Sequence, residues 1–177
     1  KGITPADIKI TYSYNTTDAQ KLRAEAIQSM WETNLGITVE LKNSEWAVFK
    51  VERREGLDNV YRASWVQDYM DANNFTADVF LCPGGGYQEV IDWPSVGCVD
   101  LSDPQYIEYE EVIKAAGKES DPVARAALYA RGEEILLTEA AILNPLAWNN
   151  AYVLMNPRLS IPVSVTGYER WEKWEVK

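Results

Sequence analysis

Ser64-Trp65-Val66-Gln67-Asp68-Tyr69-Met70-Asp71-Ala72-Asn73-Asn74-Phe75 is the stretch in which an alternating segment runs out into an aromatic, carboxylate-bearing turn and then into a helix. Just upstream, Val60, Arg62 and Ser64 alternate with Tyr61, Ala63 and Trp65, the period-two pattern of a strand with two unlike faces. From Asp68 onward Asp, Ala and Asn have little strand preference, so the strand is expected to stop near Asp68. Carboxylates at the C-terminal end of a strand, beside aromatic rings and ahead of a helix, stand where α/β sheets hold ligands. The plainer alternative is that Asp68 or Asp71 caps the helix that carries Phe75, Val79 and Phe80.

Before this stretch, Ile8, Ile10, Tyr12 and Tyr14 alternate with polar neighbours and predict a strand over residues 7–14. Thr17 and Gln20 form a capping-box signature. Leu22, Ala26, Ile27, Met30 and Trp31 follow at helical spacing, and Gly36 supplies the stop. Ile37, Val39 and Leu41 resume a strand, which makes a βαβ unit with a parallel pair. A short helix from Ser44 to Gly56, bearing Trp46, Phe49, Lys50 and Arg53, leads into the strand to Trp65 and completes a second such unit.

Beyond Phe80, residues 82–104 carry Gly, Pro, Trp and Asp without period and read as a long surface loop. Asp103-Pro104 and Asp121-Pro122 each place an N-cap before a proline at the first helical position. The first opens a helix buried through Tyr106, Tyr109, Ile113 and Ala116. The second opens a helix to about Glu139 whose Val123, Ala127, Leu128, Ala130 and Ile135 suit packing on a sheet. Ala141-Ile142-Leu143 and Tyr152-Val153-Leu154-Met155 are two further strand candidates with Asn149-Asn150 turning between them, which puts Pro145 at an edge or bulge.

At 177 residues, with 46% hydrophobic and 25% charged side chains, the chain has the size and composition of one large globular domain. Its 17 basic residues are outnumbered by 27 acidic ones, for a net charge of -10, which argues against nucleic acid and anionic membrane surfaces as partners. Histidine is absent, removing the commonest general base and metal ligand; neither a metal nor a cofactor is expected. No run has the length of a membrane-spanning helix, and Lys1-Gly2-Ile3-Thr4-Pro5 is no signal peptide, so the chain reads as a mature or excised product. Cys82 and Cys98 flank a Gly/Pro-rich loop; they read either as a local disulfide of an extracytoplasmic protein or as two unpaired buried thiols.

Gly84-Gly85-Gly86 lacks the Lys-Ser/Thr of a phosphate loop and reads as a loop tip. Glu108, Glu110, Glu111, Glu133, Glu134 and Glu139 read as solvated helix faces. Paired carboxylates for glycoside hydrolysis are set in space rather than along the chain, which keeps open a second function class, an acidic carbohydrate-active enzyme domain. Seven Trp and ten Tyr serve both cores and recognition surfaces.

Ala26-Ile27-Gln28, Trp31, Asn34-Leu35-Gly36-Ile37, Val39, Leu41, Glu45-Trp46, Phe49, Gly56, Arg62 through Tyr69 and Asn74-Phe75, in that order, resemble the C-terminal lobe of the extracytoplasmic oligopeptide- and dipeptide-binding proteins of ABC importers. Asp121-Pro122, Arg125, Leu128-Tyr129, Glu133, Leu136, Ala141-Ile142, Pro145-Leu146, Pro157, Gly167 and Trp174 are similar to the same lobe's last helix and closing strands. The resemblance implies an α/β fold with a mixed sheet flanked by helices, one lobe of a two-lobe type II periplasmic-binding-protein-like fold. Residues 1–177 would be a single domain, with the partner lobe absent. It implies a non-catalytic protein that binds an oligopeptide and delivers it to permease subunits of an importer. The location would be extracytoplasmic, with the membrane reached only through a lipid anchor of the full-length protein.

Residue by residue, the family's aspartate for the peptide α-ammonium matches Asp68, beside Tyr69; its carboxylate-binding basic residues match Arg53 and Arg62; its cleft aromatics match Trp46 and Trp65, which should therefore lie open. The extracytoplasmic setting implies a joined Cys82 and Cys98. Asn59 stands where many members carry aspartate and Ala72 where many carry proline. Some members bind cello-oligosaccharides or nickel complexes, so a sugar stacked on Trp46 or Trp65 is the alternative ligand.

Overall fold

Strand β1 (Lys9–Asn15) runs between two parallel neighbours, β2 (Thr38–Ser44) and β3 (Val60–Tyr61), giving a sheet of order β2-β1-β3. Lys9 pairs with Thr38 and the register continues to Asn15 with Ser44, whereas on the other side, among the described residues, Tyr12 and Ser13 pair with Val60 and Tyr61. The computed structural model describes residues 2–82, 102–150, 152, 154–162, 164 and 171–176. Their contacts divide between residues up to Trp65 and those from Val66 onward, and the two units are described in turn.

In the first unit, α1 (Asp18–Leu35) starts where the Thr17 side chain accepts the Gln20 N–H and ends at Gly36 with φ +68°, a left-handed stop that glycine adopts without strain. Its buried face is only in part the predicted one, which Ile27 and Trp31 meet and Leu22, Ala26 and Met30 do not. Ala24 and Ile27 are buried, with Trp31 packed beside them on Tyr12, Tyr14 and Val39, while Leu22 and Met30 are exposed. The choice turns on small Ala24, which lets the helix lie close to the tyrosines.

Tyr12, Ser13 and Tyr14 are all buried, so β1 is covered on both faces, as expected of a central parallel strand. Helix α2 (Trp46–Glu55) begins at Glu45, whose carboxylate accepts the Ala47 N–H, and ends at Gly56. Ser44 therefore belongs to β2; its hydroxyl donates to Glu52 at 2.5 Å. Fully buried Phe49 is the anchor of α2 and packs on Tyr61.

The expected strand to Trp65 stops at Tyr61: the Arg62 N–H still donates to Ser13 O at 2.8 Å, and beyond it the chain is irregular. Alternation marks an extended chain with two faces and does not say where a ladder ends.

In the second unit, α3 (Asn73–Phe80), α4 (Pro104–Ala116) and α5 (Pro122–Glu134) pack together, followed by a π-helical turn at Ile135–Glu139. Asp103 and Asp121 cap α4 and α5 as predicted, each accepting two backbone N–H groups. Tyr106, Tyr109, Ile113 and Ala116 are all buried. Among the described residues of this unit, helix α5 packs on α4 through Tyr129, Gly132 and the following Ile135 and Leu136; Val123 is exposed.

Glu108, Glu134 and Glu139 are not merely solvated: they converge on Arg131 at 2.7, 2.8 and 2.6 Å. The strands expected at 141–143 and around 152–155 do not form in the described residues. Ala141 has φ 50°, which turns the chain out of any extended path at the first residue of the predicted strand. The antiparallel pair is instead β4 (Leu159–Ser160) with β5 (Glu175–Val176). The fold is α/β, with parallel and antiparallel pairings in separate sheets among the described residues.

Candidate functional site

Asp68 lies in the turn that enters α3, and its residue stays exposed. Its backbone N–H donates to Asn74 Oδ1 at 2.9 Å, and Asn74 Nδ2 donates back to Asp68 Oδ2 at 3.1 Å and to Asp78 Oδ2 at 3.0 Å. Asn74 itself is fully buried. Tyr69 completes the cluster, its hydroxyl donating to Asp78 Oδ2 at 2.6 Å and accepting from Asn73 Nδ2 at 2.9 Å. Burial, then the hydrogen bond to the Asp78 carboxylate, push the Tyr69 hydroxyl above its usual range, so it serves as a neutral donor.

Helix capping falls to Asp71. Its Oδ1 accepts the Asn73 N–H at 2.8 Å and the Arg125 guanidinium at 2.8 Å. The Arg125 bond first, and the backbone bond next, hold the Asp71 carboxyl below the usual carboxylate range. Arg125 also donates to Ala116 O and to the Tyr129 hydroxyl, with its guanidinium 4.9 Å over the Tyr129 ring. It floors a shallow open groove of about 560 Å³ lined also by Ala72, Pro122 and Ala126. With these contacts made, Arg125 acts as a tie between α5, the end of α4 and the start of α3.

Of the remaining expected site residues, Trp46, Arg53, Arg62 and Trp65 fall in the first unit. Trp46 is 45% exposed, stacks on Phe49 with centroids 6.0 Å apart, and has Lys50 Nζ 5.6 Å from its ring. Arg53 lies over the Phe49 ring at 5.7 Å, so Trp46 and Arg53 flank one buried aromatic on a single stripe of α2. Arg62 donates to Ser64 Oγ at 2.9 Å, and Trp65 is half-buried. Asp68 and Tyr69 belong to the second unit.

Asn74 and Asp78 were missed as site residues. The spacing of four between them puts both on one side of a helix, but nothing in the sequence says that this side is turned to Asp68. Cys82 is disulfide-bonded and its N–H donates to the Tyr106 hydroxyl at 2.9 Å; Cys98 and the Gly84–Gly86 tip lie outside the described residues. Among the described residues no helix is long and apolar enough to cross a membrane, and no cluster of His, Cys, Asp or Glu is arranged to hold a metal.

Residues 1–87 match the family model described as bacterial extracellular solute-binding proteins, family 5 Middle. The periplasmic murein peptide-binding protein MppA of Escherichia coli is 31% identical over 83% of this chain and 25% of its own length. The oligopeptide-binding protein OppA of Bacillus subtilis is 33% identical over 76% of this chain and 22% of its own. The structure of HbpA2 from Haemophilus parasuis superposes with a TM-score of 0.72 over 96% of this chain and 32% of its own, at 22% identity, a likeness of fold. The chain thus spans about a quarter of the length of the curated relatives it matches. Residues 1–87 thus match the bacterial extracellular solute-binding proteins, family 5, and most of the chain is similar to a segment of peptide-binding relatives.

Proposed function

We propose that this chain is the C-terminal, ligand-binding lobe of an extracytoplasmic binding protein that delivers peptides to the permease subunits of an ABC importer. In this reading residues 1–177 form one lobe, the partner lobe lies elsewhere in the full-length protein, the membrane is reached through a lipid anchor, and the protein catalyses nothing. Cys82 pairs with Cys98. The relatives support peptides as the ligand class, since the names of MppA and OppA both specify peptide binding; no observation favours a sugar or a carbohydrate-active enzyme.

The observation that carries the reading is Asp68: an exposed carboxylate whose orientation is set by a buried amide. A carboxylate fixed in this way is suited to a peptide's α-ammonium, and gains strength when the partner lobe closes over it and expels water. Arg53 and Arg62 would meet a peptide carboxylate, and Trp46, Trp65 and Tyr69 would pack along the peptide.

The test is calorimetry on the full-length protein with trialanine and N-acetyl-trialanine. Asp68→Asn is expected to weaken trialanine by about 2–5 kcal/mol, because it leaves a buried ammonium unpaired. The acetylated peptide has no ammonium and should change little. Equal losses for both peptides would remove Asp68 from the site.

A further inference from the structure

We infer that Asn74 is a positioning residue that aims the Asp68 carboxylate, and so sets the preference for peptides with a free amino terminus; the inference rests on the reading of Asp68 as the ammonium's partner. Asn74 grips Asp68 at both ends, accepting its backbone N–H and donating to its carboxylate. The acceptor can only be the amide oxygen, since an N–H donates to it, so the orientation of the amide is settled by chemistry. Its NH2 group must then face the two carboxylates, and it does, reaching Asp68 Oδ2 and Asp78 Oδ2.

Four residues along α3, Asp78 is itself held by the Tyr69 hydroxyl. Complete burial of Asn74 removes competing water, and the helix fixes its backbone. Charged, shorter or apolar side chains do not do the same. Aspartate lacks the donor and adds a third negative charge beside Asp68 and Asp78, serine is too short to span main chain and carboxylate together, and an apolar residue leaves both ends of Asp68 unheld. A carboxylate oriented before the ligand arrives spends less free energy on ordering when it binds.

The experiment compares wild type, Asp68→Asn, Asn74→Asp and Asn74→Ser in the full-length protein, by calorimetry with trialanine and N-acetyl-trialanine and by thermal unfolding. Both Asn74 variants are expected to weaken trialanine about tenfold, the worth of a hydrogen bond to a charged group, while the acetylated peptide stays within about twofold. That ratio separates positioning from loss of fold, because a merely structural defect lowers both affinities together. Should Asn74→Asp fail to fold, Asn74→Ser, which adds no charge, is read in the same way. If Asp68→Asn discriminates between the peptides and the Asn74 variants do not, the positioning role alone is overturned. If Asp68→Asn costs both peptides equally, Asp68 has no ammonium to meet, and the two readings fall together.

Discussion

At Gly132 a Cβ would lie 2.5 Å from Ile113 Cδ1 and 3.6 Å from Tyr109 Cε2, so the missing side chain is what lets α5 approach α4. Alanine would gain about 1 kcal/mol of helix propensity there. Ile113 is 1% exposed and has little room to swing away, and such overpacking costs about 1–3 kcal/mol. Gly132→Ala is therefore expected to destabilise by about 1 kcal/mol net, and Ile113→Val, which removes the clashing methyl, should make the same alanine neutral or favourable. Urea unfolding of the two single variants and the double variant checks this; additive losses would mean that the glycine is not there for contact. Asn74 is the opposite kind of residue. Its worth lies in polar groups it can both accept from and donate to, and nothing in its own neighbourhood of sequence says that it is buried.

Between elements, the Asp71–Arg125 pair at 2.8 Å joins the turn before α3 to α5. Folding lowers the Asp71 pKa, the Arg125 hydrogen bond being the largest cause. The pair's stabilisation is then fully present above the ordinary carboxylate value of 3.8 and is lost as pH falls below it through the lowered folded value. Unfolding measured from neutral pH down to strong acid should show wild type more stable than Asp71→Asn at neutrality, with the gap closing below about pH 4. A gap that does not change with pH would assign the loss to the helix-capping bond alone. The elements themselves were legible wherever their signals are local. Thr17, Asp103, Asp121, Gly36 and Gly56 act within one turn of chain and sit where the sequence placed them. The buried face of α1 was legible in Ile27 and Trp31 but not in Ala24, a small residue that packs in the cluster with Tyr12 and Tyr14.

At the scale of the molecule, Cys82 is disulfide-bonded, and a bridge to Cys98 would close a loop worth about 3 kcal/mol on the chain-entropy model. Intact-mass analysis should find no alkylatable thiol in the native protein, two after reduction, and lower stability once reduced; two free thiols without reductant would overturn the pairing. Order and type of most elements, the parallel opening units and the kinship of the chain were determined by sequence alone, since caps, stops, periodicity and the run from Arg62 to Tyr69 are written in contiguous residues. Tertiary structure alone decided that β3 pairs only at Val60 and Tyr61, that α5 lies on α4, that Arg131 gathers three glutamates, and that Asp71 rather than Asp68 caps α3. The pairing of β3, the seat of α5 and the Arg131–Glu108 bond depend on partners far apart in the chain, which a residue's sequence neighbours do not reveal; Asp71 takes the nearby Asn73 N–H, but Arg125, which holds the same carboxylate, is distant too.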